Sequence, residues 1–256
     1  WHLNNEYQNF ENLHEMIIAE DITTLFIQFN YGLFCFTSLS KLIDDLYERN
    51  INVVILLHAT IDPQNDLNKQ LSNLRNCLLK CNRVYVHSIH DLNRLKALEI
   101  TQNVSLLSHG ITDLLPKVNL LKSLNKKVKL TKRKRIASYG FCLPGKGYKE
   151  LIRAIGLLKE TDIEVSLTIY SAIYSEQYKY VYTELKDLIQ DLKLDNLVSI
   201  ETEYMTDEDT LNVLSLFDCI VFPYQKSNES SSASVRQGIA SLRPVLVTPV
   251  DIFADA

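Results

Sequence analysis

Residues 218–249 read DCIVFPYQKSNESSSASVRQGIASLRPVLVTP and combine the residue types that bind anions and sugar hydroxyls. A short apolar run ends at Pro223, which cannot donate a hydrogen bond to a sheet. We therefore expect a buried strand to end there, at the carboxyl edge where ligands bind in α/β folds. The polar residues that follow supply side-chain caps and free backbone N–H groups at the start of a helix running to about residue 242: Ser227, Asn228, Glu229, Ser230, Ser231 and Ser232. A helix start of this kind suits an anion such as phosphate.

Glu229 and Gln237 lie eight residues apart in this stretch. If both are on the helix, they are about 12 Å apart along its axis and about 80° apart around it, so both can face one long ligand. A carboxylate at the helix start can accept hydrogen bonds from sugar hydroxyls while the helix terminus binds phosphate, which suits a nucleotide sugar. The alternative interpretation, that Glu229 is a charged cap residue, stays open.

A second candidate segment is GFCLPGKGY at residues 140–148, between a predicted strand and the next predicted helix. Its glycines, among them Gly145, let a ligand approach the backbone, and Lys146 at the helix start can reach a phosphate at the same strand edge. An ordinary turn with an exposed lysine is the alternative. The segment matches neither the Walker pattern nor the GxGxxG fingerprint, so it does not identify a nucleotide site by itself.

Apolar runs of strand length alternate with segments of helical period along the chain. In the first half we predict strands at 22–29, 51–58, 83–87 and 103–107, and helices at 38–48, 65–79 and 90–98. In the second half we predict strands at 136–140, 164–170, 197–201 and 219–222, and helices at 148–159, 176–192 and 207–217. The helix at 207–217 has Thr206 as its cap and Asp209 in the capping-box position.

Near-continuous apolar strands predict parallel sheets that are covered by helices on both faces. The two βα series therefore predict an α/β protein with two doubly wound, Rossmann-like domains facing a cleft. We assign residues 1–115 to an amino-terminal domain, 116–134 to a basic linker and 135–256 to a carboxyl-terminal domain. The chain starts at Trp1 and stops at Ala256, just after a strand that we expect to begin at Pro244, so we expect an excerpt from a longer protein, truncated at both ends.

Composition excludes several classes of function. The net charge of -4 at pH 7 gives no reason to expect nucleic acid as a partner. No apolar run reaches the roughly 18 residues that a membrane span needs, and the amino terminus does not have the form of a secretion signal, so we expect a cytoplasmic protein. The five cysteines are an odd number and suit reduced core residues. Cys77 and Cys81 lie one helical turn apart without further ligands, so we expect no metal.

The region around the predicted linker is strongly basic, with nine Lys or Arg residues between Pro116 and Arg135. The favoured interpretation is a solvated linker or edge hairpin. The alternative is that residues 126–135 make a peripheral contact with anionic lipid on the inner face of a membrane, or with an anionic substrate. The sequence does not decide between them.

Four strings together resemble the family 4 retaining glycosyltransferases of the GT-B fold, over almost the whole chain and in order: GFCLPGKGYKELIRAI, residues 218–249, NRVYVHSIHDLNRL and VSLLSHGITD. The resemblance implies transfer of a sugar from a nucleoside-diphosphate sugar to a hydroxyl acceptor, with retention of configuration and without metal or cofactor. The acceptor class implied is a glycan, a lipid-linked acceptor or a polysaccharide precursor, as in cell-envelope glycan biosynthesis.

The resemblance also implies roles for individual residues. Lys146 corresponds to a lysine that contacts the donor diphosphate, Glu229 to a glutamate that contacts the donor sugar, and His58, in VVILLHAT, to a histidine near the transferred sugar. These three are the catalytic candidates. The implied donor-binding set comprises Gly145, Lys146, Glu229, Ser230, Ser231, Ser232 and Gln237, all in the carboxyl-terminal domain that would bind the nucleotide sugar.

Two positions depart from the family pattern. Phe141 stands where the family has an arginine that contacts phosphate, and Gln237 stands where it has the glutamate that holds the ribose. An amide keeps an acceptor oxygen, and Arg236 or the helix amides can replace part of the missing positive charge. Two alternatives therefore stay open: a catalytically degenerate module that binds a sugar nucleotide, and a GT-B sugar-nucleotide epimerase.

The other candidate positions have structural interpretations that we favour. His87, His90 and His109 fall at predicted strand ends or in loops, where capping or surface roles are the commonest for histidine. Residues 30–32 form a loop after the first predicted strand, and a turn is favoured there over a border of the acceptor site.

Overall fold

The fold is that of a computed structural model, which describes residues 10–64, 66–112 and 133–256. Most of the predicted linker and of the basic stretch 126–135 lies outside the described residues. The chain divides into two compact units. The first contains Trp1–His109, Asn228–Ser231 and Asp255, and the second contains Gly110–Ser227, Ser232–Ala254 and Ala256. The predicted domain limits stay a prediction.

The first unit is built on a parallel sheet of four strands in the order β1-β2-β3-β4. Its elements are α1 (Glu11–Ala19), β1 (Thr24–Phe29), α2 (Phe36–Glu48), β2 (Asn52–Leu57), α3 (Arg75–Lys80), β3 (Arg83–Val86), α4 (Ile89–Ala97) and β4 (Val104–Leu106). Leu57 pairs with Phe29 on one side and Val86 on the other, so consecutive strands end at the same edge of the sheet. Residues that immediately follow these strands are therefore brought together.

The second unit is built on a parallel sheet of five strands in the order β7-β6-β5-β8-β9. Its elements are β5 (Lys134–Tyr139), α5 (Tyr148–Leu158), β6 (Val165–Tyr170), α6 (Lys179–Asp191), β7 (Val198–Glu201), α7 (Asp207–Leu214), β8 (Cys219–Phe222), α8 (Ala233–Ala240) and β9 (Val245–Val247). The strand order reverses between β5 and β8, which is where doubly wound sheets leave a crevice for ligands. The loops after β5 and β8 flank this switch point.

Both cores are made by the apolar runs that predicted the strands. In the first unit Ile55 and Leu57 of β2 are fully buried together with Leu39 and Ile43 of α2. In the second unit one apolar cluster includes Ile152, Leu167 and Leu185, and another includes Ile220, Phe222 and Val235. The α/β class with two parallel, Rossmann-like sheets is thus confirmed. Thr206 caps α7 as predicted, because its hydroxyl accepts a hydrogen bond from Asp209 N.

Two predicted helices differ from the structure. The helix at 65–79 is replaced by two short 3-10 turns, Leu67–Lys69 and Leu71–Leu74, followed by α3. Aspartate side chains interrupt the helix by taking its backbone donors: Asp66 accepts from Asn68 N and Asp62 accepts from Leu71 N.

The helix predicted after Pro223 also begins later than expected. Its first residue is Ala233 and its cap is Ser232, so Glu229 lies in the preceding loop and only Gln237 is on the helix. The physical reason is that Ser230 N donates to the carbonyl oxygen of His58, which holds the loop away from helical geometry. Among the described residues, no helix is long and apolar enough to cross a bilayer.

Candidate functional site

Three histidines cluster at the carboxyl edge of the first sheet. His58 follows β2, His87 follows β3 and His109 lies three residues beyond β4. The ring centroids are 5.0 Å apart for His58 and His87, 5.3 Å for His87 and His109, and 6.3 Å for His58 and His109. The parallel order of the strands produces this cluster, because each strand delivers its terminal residue to the same edge. His90, in contrast, is exposed on α4.

The two central rings are hydrogen-bonded to each other and to their surroundings. His58 Nδ1 is 3.1 Å from His87 Nε2, His58 Nε2 is 2.5 Å from Gln28 Oε1, and His87 Nδ1 is 2.9 Å from the carbonyl oxygen of Leu107. The pKa of His58 is lowered to about 4, chiefly by burial and also by electrostatic repulsion from the neighbouring rings of His87 and His109. His58 is therefore neutral at physiological pH.

Glu229 belongs to the first unit through the short segment Asn228–Ser231. Asn30 lies in the loop that follows β1, and its Nδ2 atom is 3.3 Å from each carboxylate oxygen of Glu229. Directly after Glu229, Ser230 N donates to the carbonyl oxygen of His58 at 3.0 Å. The structure thus brings together Glu229, Ser230 and His58, three of the residues that the sequence predicted for the site.

A buried carboxylate anchors this segment. Asp91 of α4 is fully buried and accepts hydrogen bonds from the hydroxyls of Ser88, Thr60 and Ser230, with the last at 2.9 Å. Arg94 Nη1 lies 3.1 Å from the same carboxylate and supplies the opposite charge. Asp91 also completes the capping box of α4 with Ser88. One carboxylate therefore fixes both the start of α4 and the loop that carries Glu229.

In the second unit the segment after β5 forms a tight turn. Gly145 and Gly147 have φ angles of +81° and +74°, which disfavour any other residue. A Cβ atom at Gly147 would lie 1.7 Å from the carbonyl oxygen of Pro223, and one at Gly145 would lie 2.8 Å from that of Lys226. The turn is thus packed backbone to backbone against the segment that follows β8, at the switch point of the sheet.

Lys146 lies between these glycines and is positioned by Tyr224. Its Nζ atom is 2.7 Å from the phenol oxygen of Tyr224 and 3.9 Å from the centroid of that ring. Tyr224 is almost fully buried, so it is a rigid support for the ammonium group. The result is a fixed positive charge at the switch point, just before α5 begins. Such a charge can bind a phosphate or diphosphate.

Helix α8 carries the remaining predicted residues of the second unit. Ser232 is buried and caps the helix by accepting from Val235 N. Gln237 Oε1 is buried, and no donor in the described part of the chain reaches it. Arg236 is buried as well. In the first unit, Ser231 contacts Asp255 through its hydroxyl, at 2.8 Å.

Phe141, which replaces the arginine of the family pattern, lies in an aromatic environment. Its ring packs edge to face on Tyr174, with centroids 5.4 Å apart, and 40% of the residue is exposed. It borders a small cavity of about 40 Å³ lined also by Tyr139, Tyr170 and Tyr204. The position therefore contributes apolar surface and no charge. Within the described ranges, no group of three or more histidine, cysteine or acidic side chains is arranged to hold a metal ion.

Four residues in these arrangements were not identified as site residues from the sequence. They are Gln28, Asn30, Asp91 and Tyr224. Two had a readable signal: Asp91 stands three residues after Ser88, the capping-box spacing, and Gln28 is a polar residue near the end of an apolar strand. Asn30 lies in the loop for which a turn was favoured. The role of Tyr224 depends on contact with a residue 78 positions away, which no local pattern encodes.

No protein-family profile matches the chain, and no curated protein matches it significantly in sequence. Solved structures do match. A glycosyltransferase from Rickettsia africae is similar over 94% of this chain and 61% of its own, with 17% identity and a TM-score of 0.69. The HepE protein from Anabaena, solved in complex with UDP-glucose, is similar over 96% of this chain and 66% of its own, with 14% identity and a TM-score of 0.68.

A trehalose-6-phosphate synthase, studied with bisubstrate glycomimetics as an enzyme of retaining glycosyl transfer, is similar over 96% of this chain and 63% of its own. Its identity is 12% and its TM-score is 0.68. The chain thus spans slightly less than two thirds of the length of these proteins. At such low identity the similarity establishes the fold, and that fold is the two-sheet, Rossmann-like architecture of the GT-B glycosyltransferases.

Proposed function

We propose that the protein is a retaining, metal-independent glycosyltransferase that moves a sugar from a nucleoside-diphosphate sugar to a hydroxyl acceptor. The observation that carries the proposal is the ammonium group of Lys146, held by buried Tyr224 at the switch point of the second sheet. Similar structures that are described as UDP or UDP-glucose complexes support the same donor class. The acceptor is a glycan, a lipid-linked acceptor or a polysaccharide precursor.

The chemical demand of such a transfer is stabilisation of the leaving group. A departing diphosphate gains negative charge, and a positioned cation with backbone donors lowers the energy of that state most effectively where water is excluded. We assign this role to Lys146, with the backbone of Gly145 allowing close approach. Ser232, at the amino end of α8, belongs to the same donor-binding set.

The remaining candidates contact the sugar and the ribose in this proposal. Glu229, oriented by Asn30, accepts hydrogen bonds from donor sugar hydroxyls, and His58 lies beside the sugar near the position of transfer. Gln237 offers the acceptor oxygen that no donor in the described residues reaches, which suits a ribose hydroxyl. Ser230 and Ser231 hold the Glu229 loop through Asp91 and Asp255.

The donor site is tested by titrating the protein with UDP in a calorimeter. Replacing Lys146 with Ala removes one charge-assisted hydrogen bond, so we expect UDP affinity to fall about 10- to 100-fold. Lys149→Ala is the matched control, because that lysine lies three residues later and pairs with Glu184 on the surface. Equal affinities of the Lys146 variant and the control would remove Lys146 from the site.

A second measurement separates a transferase from a degenerate binding module, the alternative that Phe141 favours because it brings no phosphate-binding charge. Donor consumption is followed with and without a panel of acceptors. Acceptor-dependent turnover that disappears in Glu229→Ala supports a transferase. UDP binding without turnover for every acceptor supports the module.

A further inference from the structure

The hydrogen bonds around His58 impose a condition on its protons. The carbonyl oxygen of Leu107 can only accept, so His87 carries a proton on Nδ1. If His87 is neutral, its Nε2 atom is an acceptor. The 3.1 Å contact between His87 Nε2 and His58 Nδ1 is then a hydrogen bond only when His58 supplies the proton from Nδ1.

This condition fixes the opposite side of the His58 ring. A neutral His58 with its proton on Nδ1 has a lone pair on Nε2, and that atom lies 2.5 Å from the Gln28 side-chain amide. If the amide oxygen of Gln28 occupies that position, it and His58 Nε2 are both acceptors. Their contact then requires an additional proton on the His58–His87 pair. A half-turn of the amide, which hardly changes its shape, presents the NH₂ group and satisfies the neutral pair.

The surroundings favour a neutral His58, whose neighbour His87 is buried, being only 2% exposed. The pKa of His58 is lowered to about 4, by burial first and by the neighbouring rings of His87 and His109 second. Other charged groups hydrogen-bonded to the neighbouring segments are Asp91 on α4, Glu229 in the segment Asn228–Ser231, and Asp255.

We propose that Gln28 is a positioning residue that holds His58 in the tautomer required by His87. Its amide nitrogen donates to His58 Nε2, His58 Nδ1 donates to His87 Nε2, and His87 Nδ1 donates to the carbonyl oxygen of Leu107. We call these groups the Gln28 relay. Both ring nitrogens of His58 are then engaged, so its ring is held in one orientation and does not serve as a proton acceptor for a substrate. The statement that His58 accepts no proton from a substrate rests on the proposed function, whereas the hydrogen bonds of the relay do not.

The relay is tested first in the unmodified protein labelled with ¹⁵N-histidine. Long-range ¹H–¹⁵N correlation spectra distinguish a protonated from an unprotonated ring nitrogen, and His58→Asn assigns the signals. At pH 7 we expect protons on Nδ1 of both His58 and His87. A proton on Nε2 of His58 would overturn the proposal. The measurement needs neither donor nor acceptor, so it can fail while the glycosyltransferase proposal survives, and the reverse.

Substitution of Gln28 then tests its control of the tautomer. Gln28→Glu places a group that can only accept beside His58 Nε2, so we expect the proton to move to Nε2 and the pKa of His58 to rise by about 1 to 3 units. Gln28→Met is the matched control of similar size, and it should leave the low pKa in place. Gln28 is on the exposed face of β1, which favours folding of both variants. An unchanged tautomer and pKa in Gln28→Glu would refute the role of Gln28.

Discussion

The two units present chemistry at equivalent edges of their sheets but form those edges differently. At the first edge, side chains hold one another: His58 bonds to His87, Asn30 to Glu229, and Asp91 to Ser230. At the second edge the backbone approaches itself closely, as at Gly147, and one side chain, Lys146, brings the charge.

The difference indicates what each edge is suited to do. A network of mutually bonded donors and acceptors holds its side chains in defined orientations and is suited to orient a polar ligand with many hydroxyls. A turn of glycines with a fixed ammonium group is suited to a diphosphate, whose charge is recognised without directional detail. The first edge should therefore be sensitive to charge and pH, and the second to any added atom.

The largest expected effect is that of Gly147→Ala. The new Cβ atom would lie 1.7 Å from the Pro223 carbonyl oxygen, at a φ of +74°, so the turn must move away from β8. We expect the free energy of unfolding to fall by about 4 kcal/mol or more, measured by urea denaturation. In the control Gly156→Ala, inside α5, the added atom meets only ordinary contacts at 3.7 Å, and helix propensity favours alanine. A loss below about 1 kcal/mol for Gly147→Ala would contradict the packing described for the turn.

Asp91→Asn tests the first edge. The new NH₂ group replaces one of the two carboxylate oxygens, so either Ser88 or the pair Thr60 and Ser230 loses its acceptor, and Arg94 loses the negative charge beside it. We therefore expect a loss of about 3 kcal/mol in urea denaturation. The control is Glu99→Gln, which removes an exposed ion pair with Arg75 and should cost less than about 1 kcal/mol. Equal losses in the two variants would show that Asp91 does not anchor the segment.

The smallest expected effect concerns pH. The pKa of His58 is about 4 in the folded protein and ordinarily 6.5, so the unfolded chain binds a proton that the folded one resists. His58 therefore imposes no such penalty above pH 6.5, and stability should fall as pH decreases from 6.5 to 4. In His58→Gln we expect the free energy of unfolding to fall less steeply with decreasing pH. The slope between pH 7 and 4.5, measured by urea denaturation, should correspond to the uptake of up to one proton fewer on unfolding. His90→Gln, at an exposed site, is the control, and identical slopes for the two variants would contradict the low pKa.

Local sequence predicted most of the elements because apolar periodicity and caps act over a few residues. The strand β2 and the helix α5 lie within one residue of their predicted bounds at each end. Helix α1 was not predicted, and the two helices that were predicted wrongly lie where a side chain or a backbone carbonyl from elsewhere took a backbone donor. Asp62 did so for the helix predicted at 65–79, and the carbonyl of His58 did so for the loop before α8.

The candidate site was predictable to a smaller extent. Lys146 and Glu229 were identified as candidates because glycine turns and polar loops at strand ends are local patterns, although their roles in donor binding remain proposals. The partners that position them were not identified, because Tyr224 and Asn30 lie 78 and 199 residues away along the chain. Long-range hydrogen bonds leave no periodic trace in a sequence.

Local patterns in the sequence were enough to predict the alternation of strands and helices, the parallel character of both sheets and the polar residues at the strand ends. These follow from burial of apolar side chains and from the backbone restrictions of proline and glycine, which are local. The folded chain was needed to show that His58 contacts His87, that Asp91 anchors Ser230 and that Lys146 contacts Tyr224. Those contacts depend on strand order and register, which arise when distant segments pack together.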